Sequence, residues 1–184
     1  MDDKFFLSKE DAVLAVVDIQ ERLAVVMSEK EKVVNNALHL IEAAKLLSIP
    51  VILTEQYSKG LGQTVGEIRE ALPSYHPVEK LTFSCCGEPA FLKALASTGK
   101  KKIILCGMET HVCVLQTCIG SLKEGYTVHA VSDAICSRSK ENFKTGIEFM
   151  RDAGAVISGT ETVLFQLLER AGTEEFKTIS KRIK

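Results

Sequence analysis

The chain has no excess charge of one sign, no apolar run of membrane length, no paired cysteine spacing and no glycine-rich dinucleotide loop. Each absence removes a class of function. Its 23 lysines and arginines are interspersed with 24 aspartates and glutamates for a net charge of −1, so no strong field draws in nucleic acid or anionic lipid. No apolar stretch reaches the length that spans a bilayer, and no membrane association is expected. The opening MDDKFFLSKED is acidic, with too short an apolar stretch for a signal peptide, so a cytoplasmic protein is expected. The six cysteines, Cys85, Cys86, Cys106, Cys113, Cys118 and Cys136, contain no CxxC and no zinc spacing. Free thiols are expected, most of them as small buried hydrophobes. No G-x-G-x-x-G follows an apolar run. Gly60, Gly62 and Gly66 have the wrong spacing, and this excludes dinucleotide binding of the usual kind.

What is present is an alternation. Apolar, largely β-branched runs recur at 13–17, 51–53, 81–83, 102–105, 127–131 and 155–157. Helical patterns at 32–47, 88–97, 110–124, 140–153, 162–171 and 174–184 separate or follow most of them. The helix at 32–47 stops before Ile49-Pro50, Pro89 sits in the first turn of the next, and Gly99, Gly125 and Gly154 each follow a helix end. Buried strands alternating with amphipathic helices predict an α/β fold, a parallel sheet with helices on both faces. At 184 residues a single domain spanning 1–184 is expected. Only 55–79, with three glycines and two prolines, breaks the rhythm, and so long a loop in a compact domain is usually functional.

The stretch KKIILCGMETHVCVLQ, residues 101–116, is the most informative. Its strand ends at Gly107, turns over Met108 and Glu109, and re-enters regular structure at Thr110, a good helix N-cap. Cys113 then falls in the first turn, where free amides and the helix dipole favour a thiolate. Ligands bind such sheets beyond the strand C-termini, where the winding reverses. With strand order 3-2-1-4-5-6, the residue ending strand one, Asp18, meets Cys113 at that point. Asp18 has two readings: the base that takes the Cys113 proton, or a turn-capping carboxylate. His111 is a poor base for Cys113, because residues two apart on a helix point away from each other. Lys80, at the start of strand three, is either a solvated lysine or a buried ammonium that stabilises developing negative charge.

The segments AVVDIQ, VEKLTFSCC and GMETHVCVLQT, taken as an ordered set, resemble the isochorismatase-like cysteine hydrolase superfamily. TEQYSKGLG and the FKTISKRIK tail are similar to its small isochorismatase domain-containing subgroup. The resemblance covers residues 5–184. It implies a Rossmann-like three-layer sandwich, with a six-stranded parallel sheet of order 3-2-1-4-5-6, and a catalytic triad of Asp18, Lys80 and Cys113. It also implies a non-proline cis peptide at Met108–Glu109, with the Glu109 and Cys113 amides turned into one oxyanion hole. The implied chemistry is hydrolysis of an amide or related C–N bond of a small molecule through a thioester. Gln20 and Tyr57 are candidates for the pocket wall. Homo-oligomers are implied as well. Nicotinamidases of the superfamily hold a metal on an Asp and histidines after strand two; here Thr54-Glu55-Gln56-Tyr57 offers no histidine, so no metal and no cofactor is expected.

The same residues admit other readings. A phosphoacceptor Asp18 would need a second carboxylate where Gln20 stands, and a response-regulator receiver would carry its acceptor on a later strand. A catalytically weak member acting as a binding or scaffolding protein is the rival from a different class. A thiol sensor pairing Cys113 with Cys118 or Cys136 is a third reading. Phe5, Phe6 and Phe83 are expected to pack, and His39 and His129 to be structural.

Overall fold

Every residue of β1, Ala12–Val17, is buried, as an all-apolar strand must be when helices cover both faces of a sheet. In this computed structural model, which describes residues 4–184, β1 is flanked by β2 (Val51–Gln56) and β4 (Lys102–Met108). Outside these lie β3 (Val78–Lys80) beyond β2, then β5 (Thr127–Cys136) and β6 (Val156–Ser158) beyond β4. All pairings are parallel and the order is β3-β2-β1-β4-β5-β6. The helices, in chain order, are α1 (Glu21–Ala24), α2 (Lys30–Leu46), α3 (Ser58–Leu61), α4 (Gly66–Ala71), α5 (Pro89–Ser97), α6 (Leu115–Lys123), α7 (Lys140–Asp152), α8 (Thr160–Leu168) and α9 (Glu174–Arg182).

Alternation along the strands divides the core in two. Leu14, Val16, Ile104 and Cys106 face α2, α8 and α9, while Val13, Ala15, Val17, Ile103 and Leu105 face α5, α6 and α7. The expected three-layer sandwich is therefore present, with the switch point between β1 and β4. Gly107 makes that point possible. Its φ is +133°, and a Cβ there would sit 1.9 Å from the Val17 carbonyl oxygen, so no side chain fits where β4 leaves β1.

Four local expectations are corrected. Strand three is Val78–Lys80, not 81–83, and Lys80 ends it rather than starting it. The Leu81 and Phe83 side chains face solvent while their carbonyls turn inward to the Gln56 amide and the Lys80 ammonium; that inversion removes them from the sheet. The segment 55–79 is not one loop: Glu55 and Gln56 belong to β2, and α3 and α4 follow. Glu55 fastens it, accepting from the Thr64 amide and hydroxyl (2.6 and 2.7 Å) and from the Tyr75 hydroxyl. Thr110 is not a cap. Glu109 occupies the capping position, Thr110–Val114 form a π-helical turn ahead of α6, and the buried Thr110 hydroxyl has no protein partner. Thr110 packs against Gly146 of α7, where an added Cβ would come within 3.0 Å of it. Phe5 and Phe6 are largely exposed rather than packed.

Among the described residues no helix is long and apolar enough to cross a membrane.

Candidate active site

Asp18 follows the last residue of β1 in a left-handed conformation, φ +53°. That turns the chain off the sheet and leaves its carboxylate beyond the strand C-termini. Lys80 arrives from the end of β3, two strands away. Its Nζ lies 2.7 Å from Asp18 Oδ2, and neither side chain has any exposed surface. Thr54, on β2 between them, donates its hydroxyl to Asp18 Oδ1 at 2.7 Å. Cys113 enters from the π-helical turn after β4, with its thiol donating toward the Asp18 carboxylate. The three residues expected to work together are thus brought together. Cys113 is 5% exposed.

The electrostatics of the pocket follow from this burial. Loss of solvent pushes the Asp18 carboxyl up from 3.8, and the Lys80 charge and the hydrogen bonds from Lys80, Thr54 and Cys113 offset this only in part. Burial also works against the Lys80 ammonium, but the Asp18 charge prevails and holds Lys80 above the ordinary lysine value of 10.5. Burial, then the neighbouring Asp18 charge, pushes the Cys113 thiol up to about 12. The first-turn dipole does not win. At neutral pH the resting Cys113 is a thiol, not a thiolate, beside the Asp18–Lys80 contact.

The Lys80 ammonium has three N–H donors and all are engaged. They go to Gln56 Oε1 at 2.7 Å and to the carbonyls of Phe83 (3.2 Å) and Thr82 (3.3 Å), while Asp18 Oδ2 is held at 2.7 Å as an ion pair. Lys80 can therefore act on a substrate through its field, but not as a free hydrogen-bond donor. Glu88 accepts from the amides of Leu81 and Thr82 and the Thr82 hydroxyl, and Ser84 and Cys85 are tied to Gln116 and Thr117 of α6. The segment is thus folded around the ammonium.

At the proposed oxyanion site, the Met108–Glu109 peptide is cis. The Glu109 carbonyl accepts from the amides of Val112 and Val114, and not from that of Cys113. The Glu109 carboxylate is turned away, accepting from the Arg138 amide (3.0 Å) and guanidinium (3.2 Å). His111 is likewise not beside the thiol; its Nδ1 lies 2.9 Å from the Ser137 hydroxyl.

Gln20, expected at the pocket wall, is fully buried, and both of its amide donors go to the Gln56 and Gly62 carbonyls. It has no donor left for a substrate. Tyr57 is half exposed and, with Ser58, Lys59, Glu79, Lys80, Leu81 and Glu88, lines a depression of about 380 Å³ on the Lys80 side. A larger depression of about 530 Å³, lined by Lys45, Ile49, Leu72 and His76, does not include Asp18, Lys80 or Cys113. Among the described residues no cluster of three or more His, Cys, Asp and Glu could hold a metal.

Sequence reasoning missed Gln56 and Thr54, because the apolar run marking β2 stops at Leu53 while the strand continues three residues further. Cys85 was also missed as a neighbour of the site. Its buried thiol lies 3.8 Å from the Thr54 hydroxyl, and burial, then the Asp18 charge, pushes it up to about 12.

Comparison with known proteins gives a consistent result. The model of the Isochorismatase domain matches residues 12–162. A Phytophthora sojae protein named Secreted isochorismatase effector Isc1 is 41% identical over 97% of this chain and 87% of its own length. Mouse Isochorismatase domain-containing protein 2A is 36% identical over 95% and 84%. The former is named as secreted, in contrast to the cytoplasmic compartment expected from this sequence. Among solved structures, the MAR1 ribonuclease from Caenorhabditis elegans superposes with a TM-score of 0.90 at 36% identity, covering 97% of this chain and 92% of that one. Escherichia coli YcaC, described as an octameric hydrolase of unknown specificity, has a TM-score of 0.90 at 28% identity, covering 96% and 90%. Pseudomonas aeruginosa YcaC, solved with hexane-2,5-diol and covalent acrylamide, has the same score and identity, covering 96% and 91%.

Proposed function

This chain belongs to the isochorismatase family of hydrolases, and from that premise we propose that it is a cysteine-dependent hydrolase acting on an amide or related C–N bond of a small molecule. The observation that carries the reading is the Cys113 thiol beside an Asp18 carboxylate that is fully buried and ion-paired to Lys80 at 2.7 Å.

Because the resting thiol is protonated, it needs a base at the moment of attack. Asp18 takes the Sγ proton as sulfur bonds to the substrate carbonyl carbon. The resulting oxyanion is held by the Glu109 and Cys113 amides. The C–N bond then breaks, with Asp18 returning its proton to the leaving nitrogen, and ammonia or an amine departs. Water gives a proton to Asp18 and its oxygen attacks the thioester carbonyl. The C–S bond breaks, the acid leaves, and the proton returns to sulfur. Throughout, Lys80 keeps Asp18 oriented and favours its ionised form between the proton transfers. The covalent acrylamide carried by Pseudomonas aeruginosa YcaC supports the presence of a reactive nucleophile in this fold.

The name ribonuclease on the Caenorhabditis elegans relative suggests phosphodiester cleavage. The present site offers no free cationic donor and no histidine pair beside the nucleophile, and the chain's net charge of −1 gives no attraction for RNA. The near closure of Cys113 favours a second reading, a catalytically weak member that binds a partner or ligand. Assembly as a homo-oligomer is part of the proposal, by analogy with octameric YcaC, and light scattering on the eluting protein tests it.

The direct test of function is intact-protein mass spectrometry during turnover of a panel of small amides. An acyl adduct that appears in wild type and is absent in Cys113→Ala, with activity lost in the variant, supports the reading. Retained turnover in Cys113→Ala refutes it. A panel with no turnover and no adduct supports the binding reading instead.

A further inference from the structure

The β1–β2 register ends at the Val17–Thr54 pair and the Asp18 amide bond to the Thr54 carbonyl, so Gln56, two residues further along β2, has no β1 residue beside it. The side chain of Gln20 takes the place of the missing strand. Its Oε1 accepts from the Gln56 amide at 2.8 Å, and its Nε2 donates to the Gln56 carbonyl at 3.1 Å and to the Gly62 carbonyl at 2.7 Å. A primary amide has the same donor–acceptor pair as a peptide group, and here both functions are used on one residue. The clamp is buried, where each bond counts for more and each loss costs more.

Gln56 is in turn fixed at the other end. Its Nε2 donates to the Leu81 carbonyl at 3.0 Å, which orients the amide so that Oε1 faces inward. That oxygen accepts from Lys80 Nζ at 2.7 Å and lies 4.0 Å from Cys113 Sγ. Together with Asp18, Gln56 therefore touches both other members of the site. The Gln20 main-chain amide donates to the Asp18 carbonyl at 2.9 Å, and its side chain, bonded to Gln56 and Gly62, reaches Lys80 and Cys113 through Gln56.

We propose that Gln20 is a positioning residue for this site, acting through Gln56 to hold the Lys80 ammonium between Asp18 and Cys113. Gln56 fixes one of the three ammonium donors, and the other contacts then set where the charge sits relative to the thiol. Without the Gln20 clamp, the end of β2 keeps its pairing with β3 but loses its support on the β1 side, and Gln56 Oε1 is less firmly placed against Lys80 Nζ. The proposal deepens the hydrolase reading, and rests on it only for the role of Cys113.

The experiment uses Gln20→Leu, Gln56→Met, the double variant, and Lys144→Gln as a control that breaks an exposed contact to Glu148 on α7. The first readout is the nitrogen-15 signal of the Lys80 ammonium and the rate at which its protons exchange with solvent. Loss of one hydrogen bond to a charged group should speed exchange by about tenfold or more. Both single variants should show this acceleration, and the double should exceed neither by more than about twofold, because residues acting through one another are not additive. A merely structural Gln20 would add its effect to that of Gln56. The proposal is overturned if Gln20→Leu exchanges at the wild-type rate, or if the two effects multiply in the double.

Should Gln20→Leu fail to fold, Gln20→Glu replaces the two donors with an acceptor in the same volume. A folded Gln20→Glu with wild-type exchange overturns the proposal, as does failure of both variants to fold. The second readout is the pH profile of Cys113 alkylation, followed by peptide mass spectrometry. If the Lys80 signal moves as stated while Cys113 reacts no faster than the other thiols in any protein, the relay stands and the nucleophile reading falls.

Discussion

Replacing Lys80 with methionine keeps the length of the side chain and removes its charge, and the structure sets both the size and the pH dependence of the result. Asp18 would be left with no exposed surface and only the Thr54 hydroxyl and the Cys113 thiol as donors. An uncompensated buried charge of this kind costs ~3–5 kcal/mol. The protein has an escape, since Asp18 can take up a proton. From an ordinary carboxyl value near 3.8, neutralisation costs roughly 1.4 kcal/mol per pH unit. That limits the Asp18 contribution to about 1.6 kcal/mol at about pH 5, against about 5.7 kcal/mol at about pH 8. The full penalty therefore develops only at the higher pH.

The sign is fixed by linkage. Burial already places the folded Asp18 above its unfolded value, so its contribution to stability is present below the unfolded value and lost as pH rises through the folded one. Removing Lys80 raises the folded value further and extends that loss to higher pH. The assay is urea unfolding followed by circular dichroism at about pH 5 and about pH 8. Lys80→Met should lose at least ~1.5 kcal/mol more at the higher pH, and adding Asp18→Asn should restore most of that difference. A loss of equal size at both pH values would refute the reasoning, because Asp18 would then not be an ionised carboxylate dependent on Lys80.

Other outcomes follow from single positions. Gly107→Ala places a Cβ against the Val17 carbonyl oxygen at a positive φ, and should cost about 3 kcal/mol or more in the same unfolding assay. Thr110→Val removes a buried hydroxyl without a partner at nearly constant shape, so thermal melting should show no loss of stability. His129 is buried on β5 beside the Lys4 carbonyl and held down at about 4. Its contribution is present above the unfolded value of 6.5 and lost as pH falls toward 4, so His129→Gln should flatten that part of the stability–pH curve.

Much of the fold was legible because its signals are local. The all-apolar β1 and β4, the Ile49-Pro50 stop after α2, and the glycines after α6 and α7 are written in consecutive residues. Strand three was misplaced because its residues, Val78, Glu79 and Lys80, carry one apolar side chain, while the apolar 81–83 next to it is turned outward by tertiary bonds from Lys80 and Gln56. No periodicity encodes that inversion. The π-helical turn was hidden for a similar reason: Thr110 is a good N-cap in isolation, and it is packing against Gly146 that accompanies the different turn.

At the site, Asp18 and Cys113 were visible as strand-end and turn residues of neighbouring strands. Gln56 was not, because β2 runs past its apolar stretch into Thr54, Glu55 and Gln56, polar residues that are buried only because the site itself satisfies them. The protonation state of Cys113 was also out of reach. A helix start argues for a thiolate, and the burial that reverses the argument comes with Asp18, Lys80 and Cys85, which are distant from Cys113 in sequence.

The most direct test of the central claim is the rate at which acrylamide modifies each of the six cysteines, read by peptide mass spectrometry, in wild type and Asp18→Asn. Field and base make opposite demands here. Removing the Asp18 charge lowers the thiol's proton affinity, since that charge helps to raise it, and on electrostatics alone Cys113 would react faster in the variant. The account predicts that Cys113 is modified first in wild type and slows by tenfold or more, on the order of a lost general base, in Asp18→Asn. A Cys113 that reacts faster in Asp18→Asn, or no faster than the other thiols in wild type, would contradict it.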